Sequence, residues 1–337
     1  MLNSLADRAA GSWRELVRPY ARPSTRQGVI QLLSTAAPFL GLTAAIIGGL
    51  DHGVWAASML AVPAAAFLVR LFMIQHDCGH GSYFRSRWAN DLLGSVLGVL
   101  TLTPYAFWRH RHAVHHATSG NLDRRGTGDI ATLTVREYVS SPPWRRLVYR
   151  LYRHPLILFA LGPIYLFLLR YRIPTGSPVR EWRSWSSVLG TDAALAGVSV
   201  LLAWTVGLGP FLSGYLPVII LAAVAGVWLF YVQHQFEHAY WETGSRWSYH
   251  AAALEGSSLY DLPRLLHWLT CHIGFHHIHH LSSKIPNYRL RACFEQNPAF
   301  HRVERVSLRQ SLRCARLALW DEDLKRLVSF RQVRAQG

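Results

Sequence analysis

The chain has 337 residues, half of them hydrophobic, with a positive mean hydropathy, which is too apolar for an ordinary water-soluble enzyme of this length. Its formal charge of +16 does not read as nucleic-acid binding, because the arginines flank apolar runs instead of forming a patch interleaved with base-stacking aromatics. Composition thus excludes a soluble globular domain and a nucleic-acid partner, and leaves an integral membrane protein.

Residues 1–28 form a basic segment carrying Arg8, Arg14, Arg18, Arg22 and Arg26. It is not a cleavable signal, since the apolar segment after it is long enough to span outright and stays as an anchor. Residues 29–50 and 54–74 are predicted to make a first hairpin of spanning helices, each about 20 residues with almost no charge, the length that crosses a ~30 Å hydrocarbon core. Residues 187–207 and 211–232 predict a second hairpin on the same grounds. Two shorter apolar stretches, 92–108 and 155–171, are interrupted by Pro104 and by Gly162-Pro163. They are placed as interfacial or re-entrant helices, because a crossing by either alone would strand the histidine clusters on opposite sides of the membrane. Residues 29–295 are expected to form one domain and 296–337 a cytoplasmic helical tail. In that tail Val306, Leu312, Leu317, Leu324 and Leu327 recur at roughly helical spacing, which predicts an amphipathic helix packed on the domain.

The expected fold class is therefore an all-α integral membrane protein. It has about four transmembrane helices in two hairpins, interfacial helices, and a cytoplasmic helical domain. The turns at Asp51-His52 and Leu208-Gly209-Pro210 carry no Arg or Lys, so the positive-inside rule puts both termini on the cytoplasmic side of the inner or plasma membrane. Cys78, Cys271, Cys293 and Cys314 fall on that reducing side without CxxC spacing, and are expected to be free thiols.

Thirteen of the 18 histidines lie in four short segments, 76–80, 110–116, 234–238 and 272–280, a clustering that core packing does not require. His76 and His80 are spaced i,i+4; His112, His115 and His116, and likewise His276, His279 and His280, are spaced i,i+3,i+4. Such spacings stack side chains on one helix face, so each cluster can aim its imidazoles at one point. With His234, where a spanning helix emerges, they offer nine neutral nitrogen donors, about twice what a tetrahedral zinc site takes and close to the need of two octahedral-type ions. The reading is a two-metal redox centre, and O₂ chemistry on a membrane-dissolved substrate favours iron over zinc. A transporter would instead need polar ligands inside the bilayer, where these spans are nearly bare. With no dinucleotide fingerprint or phosphate loop in the chain, reducing equivalents are expected from an external donor.

The sequence resembles the membrane fatty acid desaturase superfamily, whose HxxxH, HxxHH and HxxHH pattern is matched by His76 and His80, by His112, His115 and His116, and by His276, His279 and His280. The surrounding residues match too: His-Asp-Cys-Gly-His-Gly-Ser-Tyr-Phe at the first box, Trp108-Arg109 before the second, and Asn287-Tyr288-Arg289-Leu290 after the third. It is most similar to acyl-lipid desaturases of the Δ12/ω6 type, over roughly residues 30–295. The resemblance implies two non-haem iron ions held by those eight histidines and His234. It implies O₂-dependent introduction of a cis double bond into a membrane lipid acyl chain, with electrons from a ferredoxin-type or similar carrier. The alternative is a membrane hydroxylase or ketolase of alkane, sterol, sphingoid or carotenoid substrates on the same centre. His272 and His238 stand where relatives carry other residues, and are candidates for an extra ligand or for a place behind the ligands. His110 is placed behind the ligands or toward the substrate; His277, spaced i,i+3 from His280, is the alternative ligand of the third box, whose tighter face is His276 with His279 and His280. Asp77 and Glu237 are expected to orient imidazole N–H groups rather than bind metal; Asp123 and Asp129 are given no role.

Overall fold

The computed structural model describes residues 10–174, 176 and 181–334; Arg8 lies outside them. A short helix α1 (Ala10–Val17) leads to α2 (Thr25–Asp51), capped by Ser24 accepting from the Gln27 amide. A tight turn and a 3₁₀ segment join it to α3 (Ala61–His80), and Trp55–His80 together make one long apolar helix. Gly81, at φ +63°, closes α3 in the left-handed conformation that only glycine adopts freely.

Helix α4 (Arg87–Leu100) and α5 (Tyr105–Thr118) are bent by 103° at the break before Pro104, so this pair does not run through as one straight rod. Short α6 (Val135–Ser140) and α7 (Pro143–Tyr152) follow, and α7 meets an irregular helical stretch, Ile157–Arg172, at a 56° bend. That stretch contains two π-helical turns around Gly162-Pro163. Helices α8 (Trp182–Val206) and α9 (Leu208–His234) complete the set of four helices long and apolar enough to cross a membrane, or up to six spans if each bent pair counts as one. The four expected spans each match one of these four helices, with Val54 and Gly207 falling one residue outside. Their outward faces are apolar and bare: Ile30, Leu33 and Leu40 on α2, and Val200, Leu201 and Trp204 on α8, are exposed, as lipid contact requires. The inward faces of α2, α3 and α9 share one core that includes Phe39, Ile46, Leu68, Leu71, Ile74, Val218 and Val232.

Buried Arg70, within α3, is fully engaged: its Nε donates to Thr35 Oγ1 at 3.0 Å, Nη1 to the Trp268 carbonyl, and its guanidinium lies 4.1 Å from the Trp268 ring. An intramembrane cation is tolerated only when so satisfied, and this one ties α3 to the segment that precedes the third histidine box.

After α9 come α10 (Tyr249–Glu255), α11 (Arg264–Leu269), α12 (His276–Leu281) and α13 (Asn287–Gln296). The tail departs from the expected single amphipathic helix. Residues 305–307 form β3, α14 covers Leu308–Cys314, β4 and β5 form a hairpin over Leu319–Asp321 and Arg326–Val328, and α15 covers Phe330–Arg334. Strand β3 pairs in parallel with β2 (Leu259–Asp261), Tyr260 opposite Val306; β4 pairs in parallel with β1 (Leu133–Thr134), Leu133 opposite Leu319. The helical spacing of the tail's leucines does not mark one helix: those side chains are distributed over short elements, of which β3 and β4 are completed by strands far away in sequence. All four cysteines are free and buried.

Candidate metal centre

Nine imidazoles from four elements converge at the ends of α3 and α9. His76 and His80 come from the last turns of α3, His112, His115 and His116 from α5, His234 from the last residue of α9, and His276, His279 and His280 from α12. They divide into two groups. His76, His80, His112, His116 and His279 have donor atoms all within 4.8 Å of one another, and so do His115, His234 and His280. His276 joins the second group through its Nε2, 2.9 Å from His234 Nε2. The groups share a wall, with the His116 and His280 rings stacked at 4.1 Å between centroids.

Several Nε2 atoms face each other at contact distance: His112 to His80 and to His116 at 3.1 Å each, His116 to His279 at 3.1 Å, and His115 to His234 at 3.2 Å. A neutral imidazole nitrogen either donates or accepts, so a chain of such contacts cannot be satisfied well by hydrogen bonds alone. His280 Nε2 is buried with no partner at all. Lone pairs converging on common points, one of them orphaned, fit metal ions between them. Burial holds the imidazoles of His276, His279 and His280 well below the usual histidine range, and neighbouring imidazoles add to this, so all three stay neutral and keep the lone pair a metal needs.

The opposite edges of three rings are fixed from behind. His76 Nδ1 donates to Asp77 Oδ1 at 3.2 Å, His115 Nδ1 to Asp129 Oδ1, and His234 Nδ1 to the Gly256 carbonyl at 3.2 Å. Each contact selects the tautomer whose Nε2 lone pair points into the centre. Asp77 is itself held: its Oδ2 accepts from the Asn287 amide at 2.6 Å and from Asn287 Nδ2 at 2.8 Å, and Asn287 Oδ1 accepts from Gln31 Nε2 at 2.7 Å. His76 is therefore positioned through a buried relay from the first span and from the start of α13. Trp108 stacks on His112 at 4.6 Å between centroids.

Other residues singled out in the sequence lie elsewhere. His277 points away from the centre, buried among Phe294 and Phe300, where loss of hydration pushes its imidazole down to about 3. His272 stacks with His267 and Phe275, outside both groups, and burial pushes it down to about 4. His110 and His238 are exposed. Glu237 does not orient a ligand: it pairs with Arg326 at 2.9 Å, because the chain turns outward one residue after Phe236 and meets the terminal hairpin there. Asp129, given no role in the sequence, carries one. Its loop lies against α5 because Gly128, at φ +78°, has no side chain; a Cβ there would sit 3.0 Å from the Arg111 carbonyl and from His115 Cβ. Gly126 and Gly128, crowded just before Asp129, were the only local signal of this close approach. Asn287 was visible as part of a motif, but its bond to Asp77 spans 210 residues and has no local signature.

A cavity of about 380 Å³ opens onto the centre between α3, α9 and the stretch Ile157–Arg172. Leu68, Val69, Phe72, Leu158, Ala222 and Leu229 give it apolar walls, His76, His112 and His276 stand at its metal end, and Arg111 and Arg170 also line it.

A sequence model of the family described as "Fatty acid desaturase" matches residues 7–309. Among curated proteins, the chain is 46% identical over 318 residues to "Fatty acid desaturase" of Bacillus subtilis (strain 168), covering 94% of this chain and 90% of that one. It is 30% identical over 237 residues to the sn-1 acyl-lipid omega-3 desaturase (ferredoxin) of Synechocystis sp., covering 67% of this chain and 62% of that protein. It is 28% identical over 236 residues to the sn-1 oleoyl-lipid 12-desaturase of the same organism, covering 66% and 63%. The chain thus spans nearly all of the Bacillus protein and under two thirds of the Synechocystis ones. With its apolar spans and its histidine groups able to hold metal, the chain belongs to the fatty acid desaturase family of membrane oxidoreductases.

Proposed function

We propose that this protein is an O₂-dependent di-iron desaturase that introduces a cis double bond into an acyl chain of a membrane lipid. The observation that carries the reading is the apolar cavity that ends on three of the nine converging imidazoles: a methylene chain lying in it would present C–H bonds directly to the centre. Imidazole donors without thiolate suit iron, and two groups of donors suit two ions. Iron bound there would supply O₂ reduction and the abstraction of hydrogen from carbon. The protein's own residues keep the imidazoles of His276, His279 and His280 neutral by burying them, fix the tautomers of His76, His115 and His234 through Asp77, Asp129 and the Gly256 carbonyl, and line the chain's path with side chains that exclude water.

Desaturation removes two hydrogens from the chain, while reduction of O₂ to two waters consumes four electrons and four protons. Two electrons and two protons therefore come from outside. A relative from Synechocystis is named for ferredoxin, and a ferredoxin-type carrier is the donor we assign here. Arginines flanking the spans, against bare turns at Asp51-His52 and Leu208-Gly209-Pro210, support an orientation with termini and centre on the cytoplasmic side of the inner membrane.

The test is the fatty-acid profile of a host membrane with and without the expressed chain, together with metal analysis of the purified protein. A new cis alkene and close to two irons per chain are expected. An alcohol or ketone in place of the alkene would move the protein to the hydroxylases and ketolases; one zinc and no iron would remove the di-iron reading.

A further inference from the structure

A second concavity, a cleft of about 720 Å³, reaches the five-histidine group from another direction and is lined by Gly79, His80 and Gly81. Helix α5 stands between it and the acyl cavity: Trp108, Arg111 and His112 face the cavity, while Ala106, Arg109, His110 and Ala113 face the cleft. The two lead to the same centre but have opposite chemistry. The cavity is apolar; the cleft is rimmed by Arg85, Arg87, Arg109, His110, Arg183 and Lys284.

Two acidic residues, Asp91 and Glu181, share the cleft, and both are engaged: Asp91 with Arg109 at 2.6 Å, and Glu181 as acceptor from Ser184 Oγ at 3.0 Å. Among the described residues, Arg87, Arg183 and Lys284 have no ion-pair partner, and Arg87, Arg183 and Lys284 are exposed. Flanking charge that orients membrane helices accounts for arginines at the starts of α4 and α8. It does not account for Lys284, which arrives from the loop after α12, converges on the same cleft and donates from Nζ to the His80 carbonyl at 2.7 Å.

We propose that this cleft is the docking site of an acidic one-electron carrier protein, recognised through Arg87, Arg183 and Lys284, with electrons entering at His80. The proposal rests on the desaturase reading above, which needs two electrons per turnover from outside: two reduced carriers are oxidised by one electron each, and with two protons and the two hydrogens of the acyl chain these take O₂ to two waters. The acyl cavity cannot admit a soluble carrier, since its walls are apolar and its occupant is the substrate. A lipid headgroup is the poorer match for the cleft, because α5 would separate it from the cavity that must hold its chain.

The experiment measures the Kd of a plant-type [2Fe–2S] ferredoxin for the full-length protein in lipid nanodiscs, at low and high salt, without turnover. Charge reversal at Arg87→Glu with Arg183→Glu should raise Kd about tenfold or more at low salt and flatten its salt dependence, as loss of steering charge does. Arg136→Glu, on a remote surface where Arg136 pairs with Asp323, should leave it unchanged. Lys284→Gln, a milder change for the case in which the double variant fails to fold, should give a smaller rise in the same direction. A Kd within about twofold of wild type in the cleft variants, or an equal loss from Arg136→Glu, overturns the proposal. Loss of bound anionic lipid from the variant with ferredoxin affinity intact would assign the cleft to a headgroup and overturn it too. Because binding is read without catalysis, a wild type that binds ferredoxin through these residues but makes no alkene refutes the desaturase reading and not the docking site.

Discussion

The two histidine groups are built from the same side chain yet differ in setting. The five-membered group is half open: His80 and His112 are half-buried, and His80 borders the basic cleft. The group of His115, His234 and His280 is buried throughout, and two of its rings are held from behind, by Asp129 and by the Gly256 carbonyl. Equal ligand chemistry therefore does not make equal sites. The first position is placed for exchange with the surroundings, the second for rigidity, and variants can separate these properties.

The largest expected effect is loss of a ligand from either group. His279→Ala and His115→Ala should each lower product formation more than about 100-fold, beyond what loss of an outer partner costs, while the protein stays in the membrane because its spans are untouched. Product above about a tenth of wild type in either variant, read by gas chromatography of host lipids, would show that the two groups do not act as one centre.

Removing what holds the rings should cost less, and unequally. Asp129→Asn leaves His115 in place without its carboxylate partner and should weaken iron binding about 10- to 100-fold at the buried position. Asn287→Ala strips two donors from Asp77 but leaves Asp77 on His76, so its effect on the open group should be smaller. Competition with a chelator measures both. Equal losses would mean that anchoring from behind does not distinguish the groups.

Iron release from the wild type should itself be biphasic, with one ion per chain leaving about tenfold or more faster than the other, since only one group borders solvent. A single phase for both ions would break the comparison. The smallest effect is predicted for His272→Asn, with iron content retained and activity at least partly kept. His272 lies outside both groups and at φ +57°, a conformation asparagine adopts more readily than most residues. An iron-free variant would make His272 part of the centre after all.

Much of this arrangement was legible in the chain because its signals are local. A span announces itself by 20 or so apolar residues, and a histidine face by i,i+3,i+4 spacing, so the four long helices and the nine converging imidazoles follow from short windows. What escaped was everything closed over long distances. Asp129 was given no role, and only the fold lays its loop against α5. Glu237 looked like a ligand's neighbour, but it sits one turn past the helix end and faces Arg326. The tail's leucines suggested a helix because hydrophobic spacing over short segments cannot distinguish one amphipathic helix from a strand, a turn and a hairpin whose partners lie elsewhere.

The parallel pairing of β1 with β4 has a consequence for how the protein comes into being. The stretch that carries Asp129 runs directly into Leu133 and Thr134, and these are bonded to Leu319 and Trp320. Buried Arg153 draws the same parts together, with Nη2 donating to the Leu317 carbonyl at 2.7 Å and Nη1 to the Ala131 carbonyl at 3.2 Å. During synthesis the four long helices emerge first, while the strand that completes β1 at the end of the loop behind His115 is made only when almost the whole polypeptide has emerged. If the centre is loaded with metal as proposed, its buried position would be completed late: a nascent chain halted before residue 319 would carry all four long helices but lack the strand that pairs with the end of the Asp129 loop.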